Sequence, residues 1–130
     1  LMSGDISHVV ERRLDIYGLK PHAILTVPHH GSSSSSSKVL IEAVQPSVAL
    51  VSAGLHNRFG FPREDVIRRY DRAGVQTLNT ARCGGIRITS NKHGSLKIES
   101  ARTVRKAIWR WPADEGCLGI RNGLASHPGP

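Results

Sequence analysis

Two vicinal histidines, His29 and His30, stand within the run Val27-Pro28-His29-His30-Gly31-Ser32, and serines continue it through Ser37. Imidazoles bind divalent metals, while hydroxyls and backbone amides around a glycine can hold phosphate. No other stretch of the chain concentrates such groups as densely. Upstream, in Ser3-Gly4-Asp5-Ile6-Ser7, Asp5 is a carboxylate able to bridge two cations about 4 Å apart in a hydrolytic centre. Asp5 alone is better read as a cap for the helix starting near Ser7. His29 and His30 are either a ligand and its orienting partner, since a bound imidazole needs its second nitrogen held, or turn residues without a ligand. Ser32 and the amides near Gly31 are candidate phosphate-binding groups, whereas Ser33 to Ser36 equally read as a flexible polar linker.

A third group, His56, Asn57 and Arg58, lies in a loop further on. Arg58 could grip a phosphate oxygen through a charge-assisted bond, or remain solvated; Asn57 joins it and Ser32 as a candidate substrate-binding residue. Near the end, Arg105, Lys106, Trp109, Arg110 and Trp111 mix cations with aromatics. That mixture is either a surface for single-stranded nucleic acid or, the better reading, an amphipathic segment whose tryptophans pack on the sheet. Histidines 8, 22, 93 and 127 show no ligand spacing.

The elements that must position these residues follow from hydrophobic periodicity. Leu1 and Met2 read as the end of a strand, so that the chain begins in mid-fold, and Val10, Leu14 and Tyr17 recur at helical spacing from Ser7 to Gly18. Ala23–Val27 and Val48–Ala53 are short continuous apolar runs, the pattern of strands covered on both faces. Between them, residues 39–44 predict a helix stopped before Pro46. A helix follows from Pro62 with Val66, Ile67 and Tyr70 as its buried stripe, then a strand at Val75–Leu78 and a turn at Cys83-Gly84-Gly85. Ile86 and Ile88 with Leu96 and Ile98 form one face of a hairpin turning through Asn91-Lys92-His93-Gly94. Strands alternating with helices predict an α/β fold with a mixed sheet, whose strand ends would gather Asp5, His29 and the loop after Ala53 on one rim.

At 130 residues the chain is expected to form one domain, over residues 1–111, followed by a disordered tail over 112–130. A net charge of +8 favours an anionic partner. Cys83 and Cys117 match no zinc spacing and are expected to be reduced thiols. No run is long enough to span a membrane, and the first residues lack a signal-peptide pattern, so the segment reads as soluble.

The segments Ser3-Gly4-Asp5-Ile6-Ser7, Val27-Pro28-His29-His30-Gly31-Ser32, Ser52-Ala53-Gly54 and Asn57-Arg58-Phe59-Gly60-Phe61-Pro62, in this order, resemble the C-terminal metallo-β-lactamase-like domain of the ComEC family of DNA-internalisation proteins. The resemblance runs from about Leu1 to Arg110. It implies an αββα sandwich, a zinc- or manganese-dependent nuclease site, single-stranded DNA as partner, and a parent protein whose channel portion sits in the inner membrane. By the same resemblance Asp5 is a bridging ligand, and His29 and His30 lie at the rim of the site. Three features depart from the family. The His/Asp-rich main metal motif of the N-terminal half is absent, and Phe61 stands where a histidine is usual. An acidic residue is also usual near Ala81. The resemblance therefore implies the C-terminal half of such a domain, inactive without its N-terminal half and prone to poor solubility. The alternatives are a degenerate DNA-binding module without hydrolysis, or a related hydrolase of another substrate.

Overall fold

The computed structural model describes residues 1–13, 19, 21–92, 95–104 and 117. Over these the fold is α/β, with parallel and antiparallel pairing in two separate sheets. Strands β1 (Ile24–Thr26), β2 (Val48–Val51) and β3 (Gln76–Asn79) form a parallel sheet in that order, with Thr26 opposite Leu50 and Val51 opposite Asn79. Strands β4 (Ile86–Ser90) and β5 (Leu96–Ser100) form an antiparallel hairpin in which Ile88 faces Ile98. The mixed pairing expected from the sequence is present, divided between the two sheets.

Side chains alternate across a strand, so β2 serves two cores. Ala49 and Val51 pack with Leu25, with Leu40, Ile41 and Val44 of helix α2 (Lys38–Val44), and with Val66 and Tyr70 of helix α3 (Glu64–Arg72). Val48 and Leu50 join Leu78, Ile86 and Ile98 beneath the hairpin. Helices cover one face and the hairpin the other, which accounts for the uninterrupted apolar runs. Helix α2 is capped by the Ser37 hydroxyl, which accepts from the Leu40 amide at 3.2 Å, and ends at Gln45 in a left-handed conformation before Pro46. Helix α3 begins two residues later than Pro62 and stops at Ala73, with Gly74 at φ +70°. Short helices α4 (Thr80–Cys83) and α5 (Ala101–Val104) flank the hairpin.

Three expectations change. Helix α1 spans only His8–Glu11, Val9 and Val10 are exposed, and Glu11 is fully buried. Leu14, Tyr17 and Gly18, which would have continued that helix, lie outside the described residues. The periodicity reading placed Val10 inward because it weighed side chains by hydropathy, while the interior here needed an acceptor for backbone amides. Secondly, Cys83 and Cys117 form a disulfide, buried in the core beneath the hairpin. Their separation of 34 residues carries no recognisable spacing, and only folding brings them together. Thirdly, Ser33 to Ser36 do not form a free linker: Ser35 and Ser36 are fully buried and held on every side. The hairpin tip at His93 and Gly94, the Arg105 to Trp111 cluster and, Cys117 apart, the tail expected to be disordered lie outside the described residues.

Residues 1–3 run alongside β1, where the Thr26 amide donates to Leu1 O at 2.9 Å and the Ser3 hydroxyl to Thr26 O at 2.6 Å. The strand-like reading of Leu1 and Met2 agrees with this pairing. No helix among the described residues is long and apolar enough to cross a membrane.

Candidate functional site

Parallel strands end on a common rim, and three segments leave the sheet there. Pairing with β1 delivers Gly4-Asp5, β1 itself leads into a tight turn over Pro28–Gly31, and β2 leads into Ser52-Ala53. The His29 amide donates to Gly4 O at 3.0 Å, which fixes the first segment against the second. His30 Nδ1 lies 2.7 Å from Ser52 O, which fixes the second against the third. A carbonyl can only accept, so His30 carries its proton on Nδ1 and turns Nε2 toward Asp5 Oδ1, 3.6 Å away. At that distance the two atoms do not share a hydrogen bond. Both side chains are more than half exposed, so the pair contributes little to stability. A ring held by a backbone carbonyl with its other nitrogen presented to a carboxylate is the arrangement that readies an imidazole for a metal.

His29 and His30 both adopt left-handed backbone angles, φ 48° and 55°. Such conformations cost a non-glycine residue of order 1–2 kcal/mol each, and their accumulation at one turn marks a functional constraint. His29 Nδ1 is buried without a hydrogen-bond partner, a condition buried polar atoms rarely tolerate. Gly31 completes the turn at φ +86°, and a Cβ there would meet Pro62 Cβ at 2.5 Å. The Arg63 amide donates to Gly31 O at 2.8 Å, so the turn and the 54–62 loop are locked together.

In that loop the Asn57 side chain accepts from the Phe61 amide at 2.9 Å and donates to Phe61 O at 2.7 Å and to Gly54 O at 3.0 Å. Asn57 is thus the staple of the loop. The loop presents four side chains in succession: Arg58 lies 4.8 Å above the Phe59 ring, Phe59 stacks on Phe61 at 5.6 Å and 19°, and Arg63 lies 5.8 Å from the Phe61 ring. The edge of Phe61 meets the His29 ring at 6.1 Å. His56 is exposed and lines a pocket of about 520 Å³ with Asn57, Thr77, Asn79 and the disulfide.

The serine tract is held by Tyr70 and by two residues that the sequence did not single out, Glu11 and Arg69. Glu11 accepts from the Ser36 and Ser37 amides at 2.7 and 2.8 Å, and Arg69 donates to Ser35 O and Ser36 O at 3.0 and 2.9 Å. Tyr70 donates to the Ser36 hydroxyl at 3.0 Å, and burial, with Glu11's charge adding to it, pushes its phenol up to about 12. The Ser33 hydroxyl, and then Arg69, hold the exposed Asp65 below the usual carboxylate range. The Ser32 amide is spent on His29 O, while the Ser32 hydroxyl stays at the exposed surface, 3.0 Å from that of Ser34. A buried acceptor such as Glu11 leaves no periodic mark in a sequence; Phe59 was already visible inside a quoted motif.

The structure therefore brings Asp5 and His30 into one corner, sets His29 beside it, and places Arg58 on the neighbouring loop. An imidazole nitrogen beside a carboxylate offers two donor types that a divalent cation accepts, but among the described residues no three His, Cys, Asp or Glu side chains form a group able to hold one.

No protein-family model matches the chain. It is 36% identical over 123 residues to the uncharacterized protein YcaI of Escherichia coli, covering 89% of this chain and 16% of that protein. It is 39% identical over 80 residues to Recombination protein 2 of Haemophilus influenzae, covering 62% of this chain and 10% of that protein. Competence protein ComA of Neisseria gonorrhoeae is 33% identical over 112 residues, covering 85% of this chain and 16% of that protein. The chain thus spans a sixth or less of the length of these relatives. Over most of its length the chain is similar to one segment of each of these proteins.

Proposed function

We propose that the chain is part of a metallo-β-lactamase-like domain in a DNA-uptake protein, where Asp5, His29 and His30 contribute to a zinc or manganese centre completed by an N-terminal half outside this chain. The names of its relatives support the role in DNA uptake. The observation that carries the metal reading is the corner itself: His30 Nε2 faces Asp5 Oδ1 at 3.6 Å beside a His29 nitrogen that is buried and unpartnered. When bound, the cation would lower the pKa of its water and supply hydroxide at neutral pH for attack on a phosphodiester. The chain's own residues then have defined tasks. Ser52 O holds the His30 ring, the left-handed backbone of His29 and His30 forms the turn that carries it, and Arg58 would offer charge to a phosphate. The parent protein, by this reading, lies in the inner membrane with its channel portion and passes single-stranded DNA to this domain.

The test is metal content and single-stranded DNA cleavage by the parent-length protein, with and without Asp5→Ala and His30→Ala. Each substitution should lower bound zinc or manganese, and cleavage with it. Metal content unchanged in the double variant would overturn the reading. A non-catalytic DNA-binding module is the second reading, favoured by the net charge of +8 and by the missing third donor among the described residues. It predicts salt-dependent DNA binding that a chelator does not alter.

A further inference from the structure

We infer that Phe59, backed by Phe61 and flanked by Arg58 and Arg63, is a base-stacking platform that seats a nucleobase of single-stranded DNA beside the Asp5–His30 corner. This inference rests on the DNA-handling reading above and adds the residue that distinguishes single-stranded from duplex substrate. Four observations carry it. Phe59 is 53% exposed, although it sits on a loop whose backbone is fastened by the three Asn57 hydrogen bonds, so its exposure is imposed by a rigid support. Its ring lies within 19° of parallel to Phe61, giving a stacked pair rather than a lone aromatic. Arg58 lies over the Phe59 ring at 4.8 Å and Arg63 over the Phe61 ring at 5.8 Å, so a base reaching Phe59 takes the place of the exposed Arg58 guanidinium, which is then free to balance phosphate charge. The pair is continuous with the corner, because Phe61 touches His29 edge-on at 6.1 Å.

The ligand class follows from this chemistry. A flat π-surface bordered by guanidinium groups, on a chain of net charge +8, complements an anionic polymer with exposed aromatic faces. Duplex DNA hides its base faces, so the platform can engage only unpaired bases. Stacking tolerates any base, so the platform binds without marked sequence preference.

The experiment is fluorescence anisotropy of the full chain with a labelled single-stranded oligodeoxynucleotide, its abasic counterpart and the corresponding duplex, in the presence of chelator. Phe59→Ala should weaken binding to the single strand by about tenfold or more, the loss of one stacked base, and leave abasic and duplex binding unchanged. Phe59→Leu keeps apolar bulk without a π-face and should fall to the level of Phe59→Ala, whereas Phe59→Trp should bind at least as tightly as the parent. Arg58→Ala should reduce the salt slope by about 0.7, as one phosphate contact is lost. Equal losses on the intact and abasic strands, restoration by leucine, or unaltered single-strand binding in Phe59→Ala would each overturn the inference. Because chelator is present throughout, none of these outcomes depends on the metal centre.

Discussion

Gly31 carries the closest approach in the corner, with its α-carbon pressed against Pro62 and its backbone in the left-handed region. Gly31→Ala adds a methyl group 2.5 Å from the Pro62 side chain and penalises the positive φ. It should destabilise the chain by about 2 kcal/mol or more, measured by urea unfolding. Glu11 acts differently, through hydrogen bonds. As a buried carboxylate accepting from two amides, it replaces the water those amides would otherwise bind. Glu11→Gln leaves one amide opposite a donor and should cost about 2–4 kcal/mol by the same measurement. Tyr70 supplies a pH dependence with a definite sign. Its phenol titrates near 12 folded and near 10 unfolded, so its neutral form adds stability in full below pH 10. That contribution, on the order of 3 kcal/mol, is lost as pH rises from 10 to 12. A denaturation series across this range should show the fall in the parent and not in Tyr70→Phe.

At the scale of elements, the serine tract is a structured connection between the histidine turn and α2. It is fastened by Glu11 of α1 on one side and by Arg69 and Tyr70 of α3 on the other. Ser37 closes it as the cap of α2, and Ser37→Ala should cost about 1 kcal/mol. The loss should appear as a lowered urea midpoint. Strands β1, β2 and β3, helix α2 and the hairpin all lie within a residue or two of where periodicity predicts them, because each buries a stripe that hydropathy records. Helix α1 does not, since its inward residue is an anion. The low-complexity appearance of the serines was equally uninformative: their order comes from partners more than two dozen residues away.

For the whole molecule, the disulfide ties Cys117 to the end of α4 across a sequence separation of 34 residues, and both cysteines pack in the core beneath the hairpin. In the chain-entropy account a loop of this size is worth about 3–4 kcal/mol. Reduction, or Cys83→Ser, should lower unfolding free energy by that order, with urea midpoints in oxidised and reduced samples as the check. The bridge also lines the pocket that holds His56, Asn57 and Asn79, so its loss should loosen the wall behind the 54–62 loop.

The sequence by itself determined the alternation of strands and helices, the expectation that Asp5, His29 and the loop after Ala53 meet at strand ends, and the order of the motifs. These are local properties, written in spacing and in the turn residues between apolar runs. Only the tertiary structure decided that His30 rather than His29 faces Asp5, that Asn57 is spent stapling its own loop, that Glu11 is buried, and that the cysteines are joined. Each of those outcomes depends on which side chain reaches a partner across space. Hydropathy and periodicity do not encode that reach, because they describe a residue's neighbours along the chain and not the groups that folding sets against it.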